Sequence, residues 1–172
     1  MKIIEALKAV KANREKITDL QMLIAKNAAH MESQNSSTAY NDPKKKIKVW
    51  VQSIHDTLLE NARLLTQIQK TNLNTLVSIE MPSGVIVEKS ISEWIVRRRE
   101  GVDTEILTYQ AMRHSLKQQA IQAQDGTIKV DQVVVNYSTE DRDTKMMELS
   151  REKSLIDGKL EIVNATTELL EV

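Results

Sequence analysis

Apolar residues return every three or four positions along most of the chain, and the breaks in that rhythm divide it into elements. Over residues 2–33 the stripe is Ile3, Leu7, Val10, Ile17, Leu20, Ile24 and Met31, which predicts a first helix, with Arg14 and Asn27 on or beside the same face. The polar tract SQNSSTAYND at 33–42 breaks the period and reads as a loop. Asp42 and Pro43 then supply a capping carboxylate and a first-turn proline. A second helix is predicted over 43–75, with Ile47, Trp50, Val51, Ile54, Leu58, Leu65 and Ile68 on its stripe. Asn61, Asn72 and Thr75 continue that line.

The period changes to two over 76–91. Short β-branched runs flank Pro82-Ser83-Gly84, the signature of a β-hairpin. A hairpin alone is marginal in water, so this one is expected to pack on the helices or on another subunit. Ser90 and Glu93 form a capping-box pair that opens a third helix over 91–121. Its stripe is Ile91, Ile95, Arg98, Val102, Ile106, Tyr109, Met112 and Leu116, with Gly101 as a weak point. Gln124-Asp125-Gly126 reads as a turn, and IKVDQVVVNY at 128–137 as the best strand in the chain. Ser138 and Asp141 cap a last helix over 139–169, whose stripe holds Met146, Leu149, Ile156, Leu160 and Val163 together with Arg142, Lys153 and Thr167.

The expected fold class is therefore mainly α: one domain over 1–172, an elongated antiparallel bundle of about four long helices with a small β-hairpin and strand appendage. Residues 1–75 form its helical hairpin. A helix of about 30 residues is ~45 Å long, so such a bundle is thin and leaves apolar flanks uncovered. Self-association into a homo-oligomer with an even number of subunits, such as a hexamer, is the expected remedy.

Composition narrows the chemistry. Lys plus Arg and Asp plus Glu each number 24 in 172 residues, so no basic excess supports a nucleic-acid partner. There is no Cys, and the three His are scattered, which argues against thiolate sites and zinc. Nucleotide loops of the GxxxxGK[ST] and GxGxxG types are absent, as is a GxSxG nucleophile elbow. The run KKKIK at 44–48 reads as a solvated face. No run approaches the roughly 20 apolar residues of a membrane span, and the first residues lack an unbroken signal-peptide core. The expectation is a cytoplasmic, non-enzymatic protein with no cofactor, no metal and no membrane partner.

What remains to be explained is a set of polar residues where leucine would fit: Arg14, Asn61, Asn72, Arg98 and Arg142. The plain reading is that they fix helix register or pair with carboxylates across a helix interface. The sharper reading is an anion pocket. Arginine offers a flat fork of donors that matches phosphate. On that reading Arg98 points inward from the triplet Arg97-Arg98-Arg99, while Arg97 and Arg99 lie about 100° to either side and serve a rim or a neighbour. Trp94, Trp50, Tyr109 or Tyr137 would offer a face for a nucleobase, and Asn72 and Thr75 would read hydroxyls or base edges. The candidate ligand residues are thus Arg98, Asn72, Thr75, Arg142, Tyr137, Trp94, Arg97 and Arg99.

Several short motifs carry a resemblance. They are the opening KIIEALKAVK, the element Ile68, Thr71, Asn72 and Thr75, the step Arg98-Arg99-Glu100, and the ending LIDGKLEIVNATTEL with Ile156, Asp157, Leu160, Glu161, Asn164 and Thr167. Together they resemble the septicolysin-like family of bacterial and phage proteins over most of the chain. Two features depart from its pattern: Ala165 follows Asn164 where the family has Trp, and a Ser-rich tract replaces its acidic loop. The resemblance implies an oligomeric helical protein. By type rather than by motif, the chain is also similar to phage proteins that soak up nucleotide immune signals such as cyclic ADP-ribose. The expected function is sequestration of a small phosphorylated nucleotide to block bacterial anti-phage immunity, the alternative being a structural or scaffold oligomer without a ligand.

Overall fold

The protein, seen in a computed structural model, is described over residues 1–29, 42–122 and 126–171. Its elements are helix α1 (Ile3–Asn27), α2 (Pro43–Asn74), strands β1 (Leu76–Glu80) and β2 (Ile86–Ser90), α3 (Ile91–Val96), a π-helical segment (Arg97–Val102), α4 (Asp103–Ala111), β3 (Gln119–Gln122), β4 (Ile128–Asp131) and α5 (Thr139–Thr166). It is mainly helical, with two small antiparallel sheets. The chain divides into two compact units: Met1–Thr75 with Leu160–Val172, and Leu76–Lys159. The loop expected at 33–42, apart from Asp42, lies outside the described residues, as do residues 124 and 125 of the turn before β4.

The first unit is built on the α1–α2 pair. Ala6, Val10, Leu64 and Ile68 form its buried cluster, with Ala9, Leu65 and Leu169 packed against it. Asn13 Nδ2 donates to Asn61 Oδ1 at 2.9 Å. Asn61 is buried, and its amide thus keeps the register reading given to stripe asparagines. The last residues of the unit strap the first. Ile3 N donates to Thr167 O at 3.0 Å, Leu169 N to Met1 O at 2.9 Å, and Leu170 N to the buried Thr71 Oγ1 at 2.9 Å. Met1 thus lies at the Thr71 end of α2 while Asn13 meets Asn61, so the two helices run antiparallel. The strap also explains why α5 stops at Thr166 rather than 169: residues beyond it pair in extended form with the N-terminus, through a bridge between Lys2 and Glu168. Asp42 caps α2 as expected, its Oδ1 accepting from Lys45 N at 3.0 Å.

In the second unit β1 and β2 pair antiparallel from Leu76↔Ser90 to Glu80↔Ile86. Gly84, at φ +81°, closes the turn in a conformation that favours glycine. Val77 and Ile79 point inward, and Trp94, fully buried, donates from Nε1 to Val77 O at 2.9 Å. The hairpin therefore packs on α3. The capping box is present: Ser90 Oγ accepts from Glu93 N, and Glu93 Oε2 accepts from Ser90 N at 2.8 Å. The bonds that Ser90 Oγ and Ser90 N donate to Glu93 Oε2, at 2.7 and 2.8 Å, hold the Glu93 carboxyl below its ordinary range, the hydroxyl contributing most.

Two expectations fail here, each for a local reason. The helix predicted over 91–121 ends at Ala111 and is interrupted by the π-helical segment. At its end Arg142 Nη1 donates to Met112 O at 3.0 Å, and Arg113 N folds back to Ala111 O at 2.7 Å, so a guanidinium takes the place of the next helical turn. The strand predicted over 128–137 stops at Asp131, because its partner β3 begins at Gln119, opposite Asp131.

Leu64 is 1% exposed at the centre of the first cluster. Leu64→Ala is expected to lower unfolding stability by about 2–5 kcal/mol, read as a fall in the urea midpoint at unchanged slope.

Candidate functional site

The arginine triplet sits in the π-helical segment of the second unit, and carboxylates of α4 and α5 converge on it. Arg97 presents its fork to α5: Nε and Nη2 reach Glu152 Oε1 and Oε2 at 2.7 and 2.9 Å. Its Nη1 also donates to Glu105 Oε1. Glu152 is only 7% exposed, so its charge needs this partner. Glu152 raises the Arg97 guanidinium above its ordinary value, with Glu105 adding to it against the effect of burial. Gly101 makes the approach possible: a Cβ there would lie 2.8 Å from Arg97 Nη1 and 3.1 Å from its Cδ.

Arg98 is held as firmly. Its Nε donates to Asp157 Oδ1 at 2.8 Å and its Nη1 to Asp103 Oδ2 at 2.6 Å. Lys153 Nζ reaches the other oxygen of Asp103 at 2.9 Å. The Lys153 bond, then the Arg98 bond, hold the Asp103 carboxyl below the usual carboxylate range. Two basic side chains and two acidic ones thus form a second, neutral cluster beside the first, in which one guanidinium meets two carboxylates.

These placements correct the expected roles. Arg98 is turned inward, as its stripe position suggests, but it meets two carboxylates of its own unit instead of an anion. Arg97, expected at a rim, is turned to α5 as well, because the wider π turn carries both side chains to that helix. Arg99 is exposed. Trp94 has no free face for a base: it is buried, with Lys89 Nζ 5.4 Å from the ring centroid. Arg142 and Tyr137 are brought together, with Arg142 Nη1 3.3 Å from the phenol oxygen and its Cζ 5.6 Å from the ring centroid. Arg142 also pairs with Asp143 at 2.7 Å. Asn72 and Thr75 belong to the first unit. Thr75 ends α2, its N–H donating to Thr71 O at 3.0 Å. Asn72 Oδ1 is buried with no hydrogen-bond partner among the described residues. Arg14 is exposed and lines a small cleft of about 490 Å³ in the first unit, beside Ile17, Leu58 and Asn61.

Sequence reasoning missed the acidic half of the cluster. Glu152 falls between Leu149 and Ile156, both buried, at helical spacing on α5. That was the available signal, an acid on an apolar face matching an arginine on another. It also missed a cavity of about 1,090 Å³ within the second unit. Met81, Val85 and Val87 line it from the hairpin, and Met147, Leu149 and Arg151 from α5. Lys145 and Arg97 line it too, but Lys145 pairs with Glu148 at 2.6 Å. Arg151 is exposed and has no ion pair among the described residues.

Among the described residues no group of three or more His, Cys, Asp or Glu side chains is placed to hold a metal ion, and no helix is long and apolar enough to cross a membrane. Compared with protein-family models, curated proteins and solved structures, the chain matches none.

Two outcomes follow from the ion-pair geometry. Glu152→Ala leaves Arg97 without its main partner and is expected to destabilise the protein by about 1.5–3 kcal/mol, the range for a lost charge-assisted hydrogen bond, measured by denaturant unfolding. Asp103 has a folded pKa below its unfolded one, so its contribution is present above the ordinary carboxylate pKa of about 4 and is lost as pH falls through the lower folded value. Stability should therefore fall on acidification below about pH 4, and Asp103→Asn should lower the melting temperature at pH 7 and make that acid limb shallower.

Proposed function

We propose that this chain is a self-associating, non-enzymatic binding protein that stores a small phosphorylated nucleotide of the ADP-ribose type, such as cyclic ADP-ribose, and so removes an anti-phage immune signal from the cytoplasm. The observation that carries this reading is the cavity in the second unit. Its volume, about 1,090 Å³, is at the upper end of small-molecule sites. Met81, Val85, Val87, Met147 and Leu149 give it apolar surface, Glu105, Glu148 and Glu152 line it as partners of Arg97 and Lys145, and Arg151 is its one cation without an ion pair among the described residues. An apolar patch for a base and one guanidinium without an ion pair for phosphate are a sound minimum for a nucleotide. The resemblance to the septicolysin-like family supports the oligomeric part, as do exposed apolar residues on the helices, such as Val49, Val51, Leu58 and Leu59 of α2. In this reading the elongated bundle of long helices is completed between copies.

A second reading, a scaffold oligomer with no ligand, is favoured by a different observation. Arg97, Arg98 and Arg142 are all neutralised by carboxylates of their own unit, which is what a purely structural role needs.

Thermal shift and calorimetry with ADP-ribose, cyclic ADP-ribose and cyclic dinucleotides separate the two. Storage predicts a rise in melting temperature with ligand, about 2.7 kcal/mol of stabilisation at a hundred times Kd. Arg151→Ala should weaken binding by the loss of one charge-assisted contact, about 10- to 150-fold. Heat release should return the ligand intact. Absence of heat and of any shift with every ligand leaves the scaffold reading, and recovery of a cleaved ligand would make the protein an enzyme.

A further inference from the structure

The segment IKVDQVVVNY favours extended backbone throughout, yet its ladder with β3 ends at Asp131. Every residue of β3 and β4 is exposed. Ile128 is 79% exposed, Val130 60% and Val134 78%. The register pairs Ala120 with Val130 and Gln122 with Ile128, so these four share one face, and Ile121 and Lys129 lie on the other. Among the described residues this sheet has two strands only, leaving the outer edge of β4 unpaired. A two-stranded ribbon with a bare apolar face is marginal in water, and an apolar edge strand is a template for another strand.

We infer that the outer edge of β4 pairs antiparallel with the same edge of a second copy, about a two-fold axis at Val130, making a four-stranded sheet. The inference rests on the self-association part of the proposed function and not on its ligand. The sequence around Val130 is self-complementary in charge. Lys129 and Asp131 flank it, so this register sets Lys129 opposite the partner's Asp131 and Asp131 opposite the partner's Lys129, and opposite charges across a strand pair are favourable. Moving the axis by one residue sets like charges face to face: Asp131 on the partner's Asp131, or Lys129 on the partner's Lys129. An axis passing between two residues turns the apolar face of one copy to the polar side of the other. Only an axis on a residue keeps Ala120 and Val130 of both copies on one continuous face. Val130 then faces the partner's Val130, and an isologous contact of this kind closes on itself. The charge pairing is what favours a second copy over a strand of another protein.

The chain has no Cys, so one introduced thiol reports on symmetry alone. In the full-length protein Val130→Cys places its thiol across from its own counterpart, at a cross-strand Cα spacing within the range of a disulfide. Val134→Cys serves as control, since its counterpart lies four residues to the other side of the axis, ~27 Å away. Under mild oxidation with diamide, Val130→Cys should yield a covalent dimer at least about tenfold faster than the control. Lys129→Asp should weaken the dimer about tenfold by light scattering or sedimentation, and adding Asp131→Lys should restore it. Equal cross-linking by both thiols, or no rescue by the second charge change, overturns the inference. An oligomer in which Val130→Cys stays reduced removes β4 as the contact and leaves self-association standing. A monomeric protein overturns both.

Discussion

The pairing of Arg97 with Glu152 is the constraint around which the second unit is arranged. A carboxylate as buried as Glu152 is costly unless its charge and both oxygens are answered. A guanidinium fork answers both at once, which a lysine could not. For the fork to arrive, Arg97 must lie flat along its own helix, and that requires the missing side chain of Gly101. The π-helical segment widens the turn here and lets Arg98, one residue on, also reach α5 at Asp157. Asp103 then joins Arg98 to Lys153. The helix anomaly, the glycine and the two ion-pair clusters are one arrangement, in which α5 is bound to the π-helical segment by charge.

That arrangement decides where an anion can be met. An arginine already bonded to two carboxylates carries little net field, and a phosphate would have to displace a partner that is part of the fold. The cations expected to bind ligand are therefore the least suited to it. Arg151 differs because it lies on the cavity wall with no ion pair among the described residues. Its position one residue before Glu152 turns it about 100° from the ion pair, toward the space bounded by the β1–β2 turn.

Much of the helical frame was readable from period and caps. Asp42-Pro43, Ser90 with Glu93, and Ser138 with Asp141 are local signals, and each sits where its helix begins. The β1–β2 hairpin was readable for the same reason. Elements set by distant partners were not. The end of α4 depends on Arg142, 30 positions past Met112, and the end of α5 depends on Met1 and Ile3. The site was half legible. Arg98 and Arg142 were marked out by standing on apolar stripes, but a stripe position says only that a charge is turned inward and not what it meets. Glu152 stood on its own stripe, and pairing it with the triplet needed the third dimension.

The same reasoning separates the two kinds of polar surface in this chain. Inward charges meet opposite charges, while the outward surface keeps many large apolar side chains bare, including those of β4 and of the flanking Val134. With 24 basic and 24 acidic residues the chain has no net charge to hold copies apart. In the proposed dimer, association would rest on burial and on short-range pairs such as Lys129 with the partner's Asp131, and not on long-range steering. Such an assembly gains little speed from low salt and loses little stability at moderate salt, because apolar burial is not screened and only the rim pairs are. An electrostatically driven assembly would behave in the opposite way, and with no net charge on the chain only local charge pairs could drive one.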